Sequence, residues 1–170
     1  LLTDTLATAK TPEEQRDRAL FLTLLESGIR IGSALGLEVR DLDFEGRVAY
    51  LRVAKAGRQD KVYLPSALRT VLADYVTTHS SRWLFPGRDP DAALADRHVR
   101  RQLDLWLQRA GIRRHVTVHG LRHSFAARLL ERSGGDLLLG QQALRHQNIA
   151  STLAYAGPPS DRLAEVLDGP

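Results

Sequence analysis

The chain contains no cysteine and no methionine among its 170 residues. Without thiols there can be neither a disulfide framework nor a thiolate metal site, and a reducing, cytoplasmic compartment is the natural expectation. The missing methionine sets a second expectation, that residue 1 is not a native start and that the sequence is one domain cut from a longer protein. Long apolar runs are absent as well. The longest, around Ala19 to Leu25, falls far short of the ~20 residues that span a bilayer. No signal peptide stands at the start, and no membrane association is expected. Lysine is scarce: of 24 basic residues, only Lys10, Lys55 and Lys61 are lysines. The net charge of +4 fits a polyanionic partner such as nucleic acid, but a coding bias toward arginine explains the composition at least as well.

What is present is ordinary for a globular chain. At 43% hydrophobic and 26% charged residues, 170 residues suffice for one domain with a real core. "KTPEEQRDRALFLTLLESGIR" reads as a helix, with Thr11 as N-cap, Pro12 at the first helical position and Glu14 completing a capping box. Leu20 and Leu24 lie on its buried stripe, and Gly28 stops it. A short helix, "IGSALGLEV", follows, which leaves Arg30 at the junction. Alternation from Val48 to Val53 and the run "KVYL" predict a β-hairpin turning near Ala56-Gly57. Pro65 and Ser66 are expected to end the sheet and cap a helix through "ALRTVLADYVTTH". Further helices are predicted over Ala95 to Ala110, over His119 to Ser133, and after Gly134-Gly135, where Asp136 is a candidate cap. "DRLAEVL" forms a last amphipathic pattern behind Pro158-Pro159. The predicted class is mainly α with one small antiparallel β-sheet.

Chemistry-bearing residues fall on separate elements, so only the fold can bring them together. His119 and His123 have the i, i+4 spacing of a helical metal pair. A zinc hydrolase would also need a third ligand and a nearby glutamate, and "HGLRH" supplies neither, so no metal is expected; His123 reads as a packing or supporting residue. Arg30 taken alone is a helix-end cation, and His146 taken alone is a C-terminal cap. Lys55 competes with Lys61 across the hairpin. Tyr50, Tyr63 and Tyr75 sit in strand or helix patterns, whereas Tyr155 sits near a Gly-Pro-Pro boundary.

Four segments in series resemble the tyrosine recombinase (phage integrase) family, over about residues 12 to 157. "SGIRIGSALGLEVRDLDF" is similar to its first arginine motif, "VAKAGRQDKVYLP" to its lysine hairpin, and "HGLRHSFA" to its His-x-x-Arg motif. "LRHQNIASTLAYAG" resembles its closing segment, in which a histidine precedes the nucleophilic tyrosine by nine positions, the separation of His146 and Tyr155. The resemblance implies a catalytic domain with Arg30, Lys55, His119, Arg122, His146 and Tyr155 as its catalytic residues. It implies cleavage and rejoining of double-stranded DNA through a 3′-phosphotyrosyl link, with no cofactor. It also implies a homo-oligomer (a tetramer) on DNA, a monomer in isolation, and a separate N-terminal DNA-binding domain outside this chain. Arg97, Arg100, Arg101, Arg113, Arg114 and Arg145 are candidate DNA contacts, each with a solvated basic surface as its plain alternative. Residues 158–170 form a tail that the resemblance would dock on a neighbouring subunit.

Three positions depart from the family pattern. Ser33 stands where an acidic residue is usual, Arg145 where glycine is usual, and Val118 where proline precedes the motif histidine. Two other functions remain open at this point: DNA relaxation of the type IB topoisomerase kind, and a DNA-binding module that has lost activity.

Overall fold

The computed structural model describes residues 1–51 and 60–144. Seven α-helices, a 3-10 turn (Val39–Asp41) and a small sheet make up these residues: α1 (Leu2–Leu6), α2 (Pro12–Ser27), α3 (Ile31–Leu35), β1 (Leu42–Asp43), β2 (Val48–Leu51), β3 (Asp60–Tyr63), α4 (Ser66–Val76), α5 (Asp96–Arg109), α6 (Val118–Arg132) and α7 (Leu137–Leu144). The sheet is antiparallel in the order β1-β2-β3, with Leu42 opposite Ala49 and Tyr50 opposite Lys61. The mainly helical class with a small antiparallel sheet is therefore observed. The turn expected near Ala56-Gly57 and the amphipathic pattern "DRLAEVL" lie outside the described residues.

Helix α2 is the spine. The Thr11 hydroxyl accepts from the Glu14 amide, the Glu14 carboxylate accepts from the Thr11 amide, and Pro12 opens the helix, as the sequence predicts. At the other end Gly28 takes the left-handed conformation, φ 61°, which lets the chain turn sharply into α3. Leu20, Phe21 and Leu24 are fully buried in a core to which the sheet and helices α1 through α6 all contribute. Arg30 occupies the N-cap position of α3.

Four details differ from the sequence reading. The helix expected over "IGSALGLEV" ends at Leu35, and Val39 opens a separate 3-10 turn. Ser66 does not cap α4: Pro65 takes the N-cap position, no side chain bonds the exposed amides, and Ser66 is already helical. Strand β1 was not anticipated, because two residues carry no periodicity; it exists through pairing with β2. Helix α1 was not anticipated either, and its Leu6 is wholly buried in the common core.

Candidate active site

Two elements build the site. Helix α6 starts where Thr117 accepts a hydrogen bond from the Gly120 amide at 3.0 Å, an N-cap that sets the register of the first turn. That register sends Arg122 inward and leaves His119 and His123 outside, one turn apart on one face. The two rings meet edge to face with centroids 4.4 Å apart.

Arg122 is only 3% exposed. Its guanidinium donates through Nη1 to the carbonyl of Gly28 and through Nη2 to that of Leu144, the latter at 2.6 Å. A buried cation is costly unless its donors are met; these carbonyls at the ends of α2 and α7 take two of the five guanidinium N–H groups without neutralising the charge. The same interactions tie α6 to the turn that delivers Arg30. Phe125, one turn further along α6, presses on that turn so closely that a Cβ at Gly28 would overlap its ring. Arg128 fastens α6 lower down, donating to the Leu25 carbonyl at 2.5 Å and to Glu26 at 3.3 Å.

The electrostatics of His119 identify what surrounds it. Its pKa is lowered from 6.5, first by partial burial, although the residue is solvent-exposed overall, and then by the charges of His123, Arg122 and Arg30. A residue from the α2–α3 junction and three from α6 thus act on one another. The arrangement is a cationic patch that favours the neutral form of the imidazole at its edge, suited to hold an oxyanion and accept a proton beside it.

Of the sequence-derived site residues, Arg30, His119 and Arg122 come together. Lys55, Arg145, His146 and Tyr155 lie outside the described residues. Ser33 is half-buried in α3 and makes no side-chain hydrogen bond to the described residues. The candidate DNA contacts separate into groups. Arg97 and Arg101 line a cleft of about 930 Å³ at the start of α5, whereas Arg113 and Arg114 line another of about 540 Å³ beyond its end. Arg100 is engaged by Asp96 at 2.7 Å. Among the described residues no group of three or more histidine or acidic side chains is placed to hold a metal ion, and no helix is long and apolar enough to cross a membrane. The anchoring carbonyls of Gly28 and Leu144, and Phe125 behind Gly28, escaped the sequence reading. Backbone acceptors have no side-chain signature, and only the glycine of "SGIR" marked the spot.

The helical domain with its small antiparallel sheet and its clustered cations has known counterparts, and comparison gives the family. The family model described as "Phage integrase family" matches residues 2–160, and the chain belongs to that family. It is 34% identical over 160 residues to the tyrosine recombinase XerC of Chromobacterium violaceum, covering 92% of this chain and 52% of that protein. Against the tyrosine recombinase XerA of Pyrococcus furiosus the identity is 32%, over 90% of this chain and 54% of the other. The chain spans about half the length of these curated relatives. A crystal structure of XerA recombinase shares the fold with a TM-score of 0.80 at 24% identity, covering 99% of this chain and 62% of that one. A pre-cleavage complex of XerH recombinase with its difH substrate does so with a TM-score of 0.83 at 23% identity, over 99% of this chain and 51% of the other.

Proposed function

We propose that this chain is the catalytic domain of a site-specific tyrosine recombinase acting on double-stranded DNA. The observation that carries the reading is Arg122: a buried guanidinium fastened at the junction of α2, α6 and α7, with Arg30 and a neutral His119 beside it. Family membership and relatives named as tyrosine recombinases support it.

In this reading Arg30 and Arg122 receive the non-bridging oxygens of a scissile phosphodiester, and His146 adds a donor. Guanidinium is planar and always charged, so it matches two phosphate oxygens at once. Because Arg122 is held by the scaffold in advance, little reorganisation is needed as charge builds on the pentavalent phosphorus. Tyr155 attacks phosphorus through its phenolic oxygen. A free tyrosine, with pKa about 10, is ionised to only about one part in a thousand at neutral pH, so His119 takes its proton. The P–O5′ bond breaks, and Lys55 gives the departing oxygen a proton. The 3′-phosphotyrosyl link retains the bond energy; a second 5′-hydroxyl can attack it and release Tyr155, which makes rejoining independent of any nucleotide cofactor. On a recombination substrate the active assembly is a homotetramer.

A nicked suicide duplex carrying the cognate site tests this. Incubation in EDTA should trap the chain covalently, and Tyr155→Phe should abolish trapping while duplex binding persists. Trapping that survives Tyr155→Phe or demands a divalent metal overturns the assignment. Site-independent relaxation of supercoils by a monomer would instead identify a topoisomerase.

A further inference from the structure

An apolar hollow of about 760 Å³ lies between the sheet and the α6–α7 pair, and none of Arg30, His119, Arg122 and His123 lines it. Val48 and Val62 contribute from the sheet, Phe125 and Leu129 from α6. The volume falls in the range of about 300–1,000 Å³ that small-molecule sites occupy. Two of the lining side chains are apolar yet exposed, Tyr63 at 57% and Leu139 at 40%. Apolar surface of this kind is unfavourable in water, and gathered in a concavity it marks a place where something apolar binds.

Tyr63 on β3 and Phe125 on α6 bring aromatic rings to the lining from different elements. Phe125 is held in its wall, because its ring packs against the backbone at Gly28. The charged part of the lining is mostly cationic. Arg128 is engaged by the Leu25 carbonyl and by Glu26, the one acidic side chain there. Lys61, on β3, and Arg132, in the last turn of α6, are exposed and have no acidic partner among the described residues.

An apolar hollow with two uncompensated cations complements a molecule that has a flat apolar body and an anionic head. Duplex DNA does not meet that description: its phosphates would satisfy the cations, but its stacked bases would leave the apolar wall uncovered. Inorganic phosphate would leave it uncovered too. We propose that this cleft is a ligand site for a small aromatic carboxylate or sulfonate, its ring against Tyr63 and Phe125 and its acid group held by Lys61 and Arg132. The site goes beyond the recombinase reading and does not depend on it, since it uses none of the residues assigned there to the scissile phosphate.

Two probes decide the matter on the full chain. 8-Anilinonaphthalene-1-sulfonate is an aromatic sulfonate that fluoresces when its rings leave water, and N-phenyl-1-naphthylamine is the same ring system without the acid group. The sulfonate should saturate at one equivalent per chain. Lys61→Glu with Arg132→Glu, both at exposed positions, should weaken it about tenfold and leave the affinity of the neutral amine within about twofold. Arg97→Glu with Arg113→Glu makes the same change in net charge away from the cleft and should leave sulfonate binding as it was. Ala143→Trp fills the cleft and should abolish binding of both probes; Leu139→Asn, on the exposed rim, should weaken both if the tryptophan variant does not fold. Equal losses in the two charge-reversed pairs, or several equivalents bound per chain, would mean general attraction to a basic surface and overturn the proposal. A sulfonate affinity indifferent to Lys61 and Arg132 overturns it as well. So does an affinity that rises when residues 158–170 are deleted, which would assign the cleft to the chain's own tail.

Discussion

Arg122 gains its role from atoms that belong to no side chain. The Gly28 carbonyl lies 94 residues away in sequence, and its direction is set by the positive φ of Gly28 and by the Phe125 ring behind it. Gly28→Ala should therefore act on chemistry beyond its effect on stability. The left-handed backbone disfavours alanine by roughly 1–2 kcal/mol, and the new Cβ forces Phe125, and the α6 turn that carries Arg122, to shift. A displacement of about an ångström at a positioning group can cost on the order of 100-fold in rate. Covalent trapping, measured where circular dichroism shows the variant folded, should fall by about that factor. A loss no greater than the unfolded fraction explains would remove Gly28 from the site's support.

His119 makes a pH prediction at the same scale. Its native pKa lies below the unfolded value of 6.5, so as pH falls through that value the unfolded chain binds the proton first. Stability is thus lost on the acid side of 6.5 and unaffected above it. The same shift favours the neutral imidazole that the proposed proton transfer from Tyr155 requires. The second-order rate of trapping at subsaturating DNA, which reports the free enzyme, should hold until below pH 6.5. His123→Asn removes one of the causes and should move that acid limb upward. Arg30, His119 and Arg122 could be singled out in the sequence because they fall in segments that resemble family motifs. Their anchors could not, because any residue offers a carbonyl.

Among the elements, those with chemical punctuation were the ones the sequence disclosed. Thr11, Pro12 and Glu14 fix the start of α2, Gly28 its end, and the Asp136 carboxylate accepts from the Leu139 amide at the start of α7 as expected. Where the sequence offers Ser66, it suggests a cap that the backbone does not use, because Pro65 holds the cap position and Ser66 has already entered the helix. The Glu14 cap carries a charge effect that spacing could not reveal. Backbone amides of Lys10 and Thr11 and the guanidinium of Arg109 all bond its carboxylate, and together they lower its pKa to about 2, the Lys10 amide contributing most. A depressed carboxylate stabilises the fold above its unfolded value of 4.5 and loses that contribution as pH falls toward 2. Glu14→Gln should lower the urea midpoint at neutral pH, and the gap to the parent chain should close steadily between those two values. A gap independent of pH would mean that the carboxylate's charge does not act.

For the whole molecule, α2 decides how cooperative the fold is. Its first half is tied to α5 through Asp17–Trp106 and Glu14–Arg109, its second half to α6 through Gly28–Arg122 and Leu25–Arg128. All these elements share one hydrophobic cluster, so neither side can open without exposing the other. Asp17→Ala tests this at its most sensitive point. The substitution leaves the Arg16 guanidinium, 2.9 Å from Asp17 Oδ1 in the native pair, buried without its carboxylate, a defect worth about 3–5 kcal/mol when one partner of a buried pair is removed. Urea unfolding should then shift to a lower midpoint as a single transition. In a Trp83→Phe background, fluorescence reports Trp106 at the α2–α5 contact, while far-ultraviolet circular dichroism reports all the helices. Their curves should coincide before and after Asp17→Ala. If the fluorescence curve instead ran ahead, α5 and its arginines would be leaving a surviving α2–α6 unit, and the Arg97–Arg101 cleft and the Arg122 site would belong to separately melting parts of the chain.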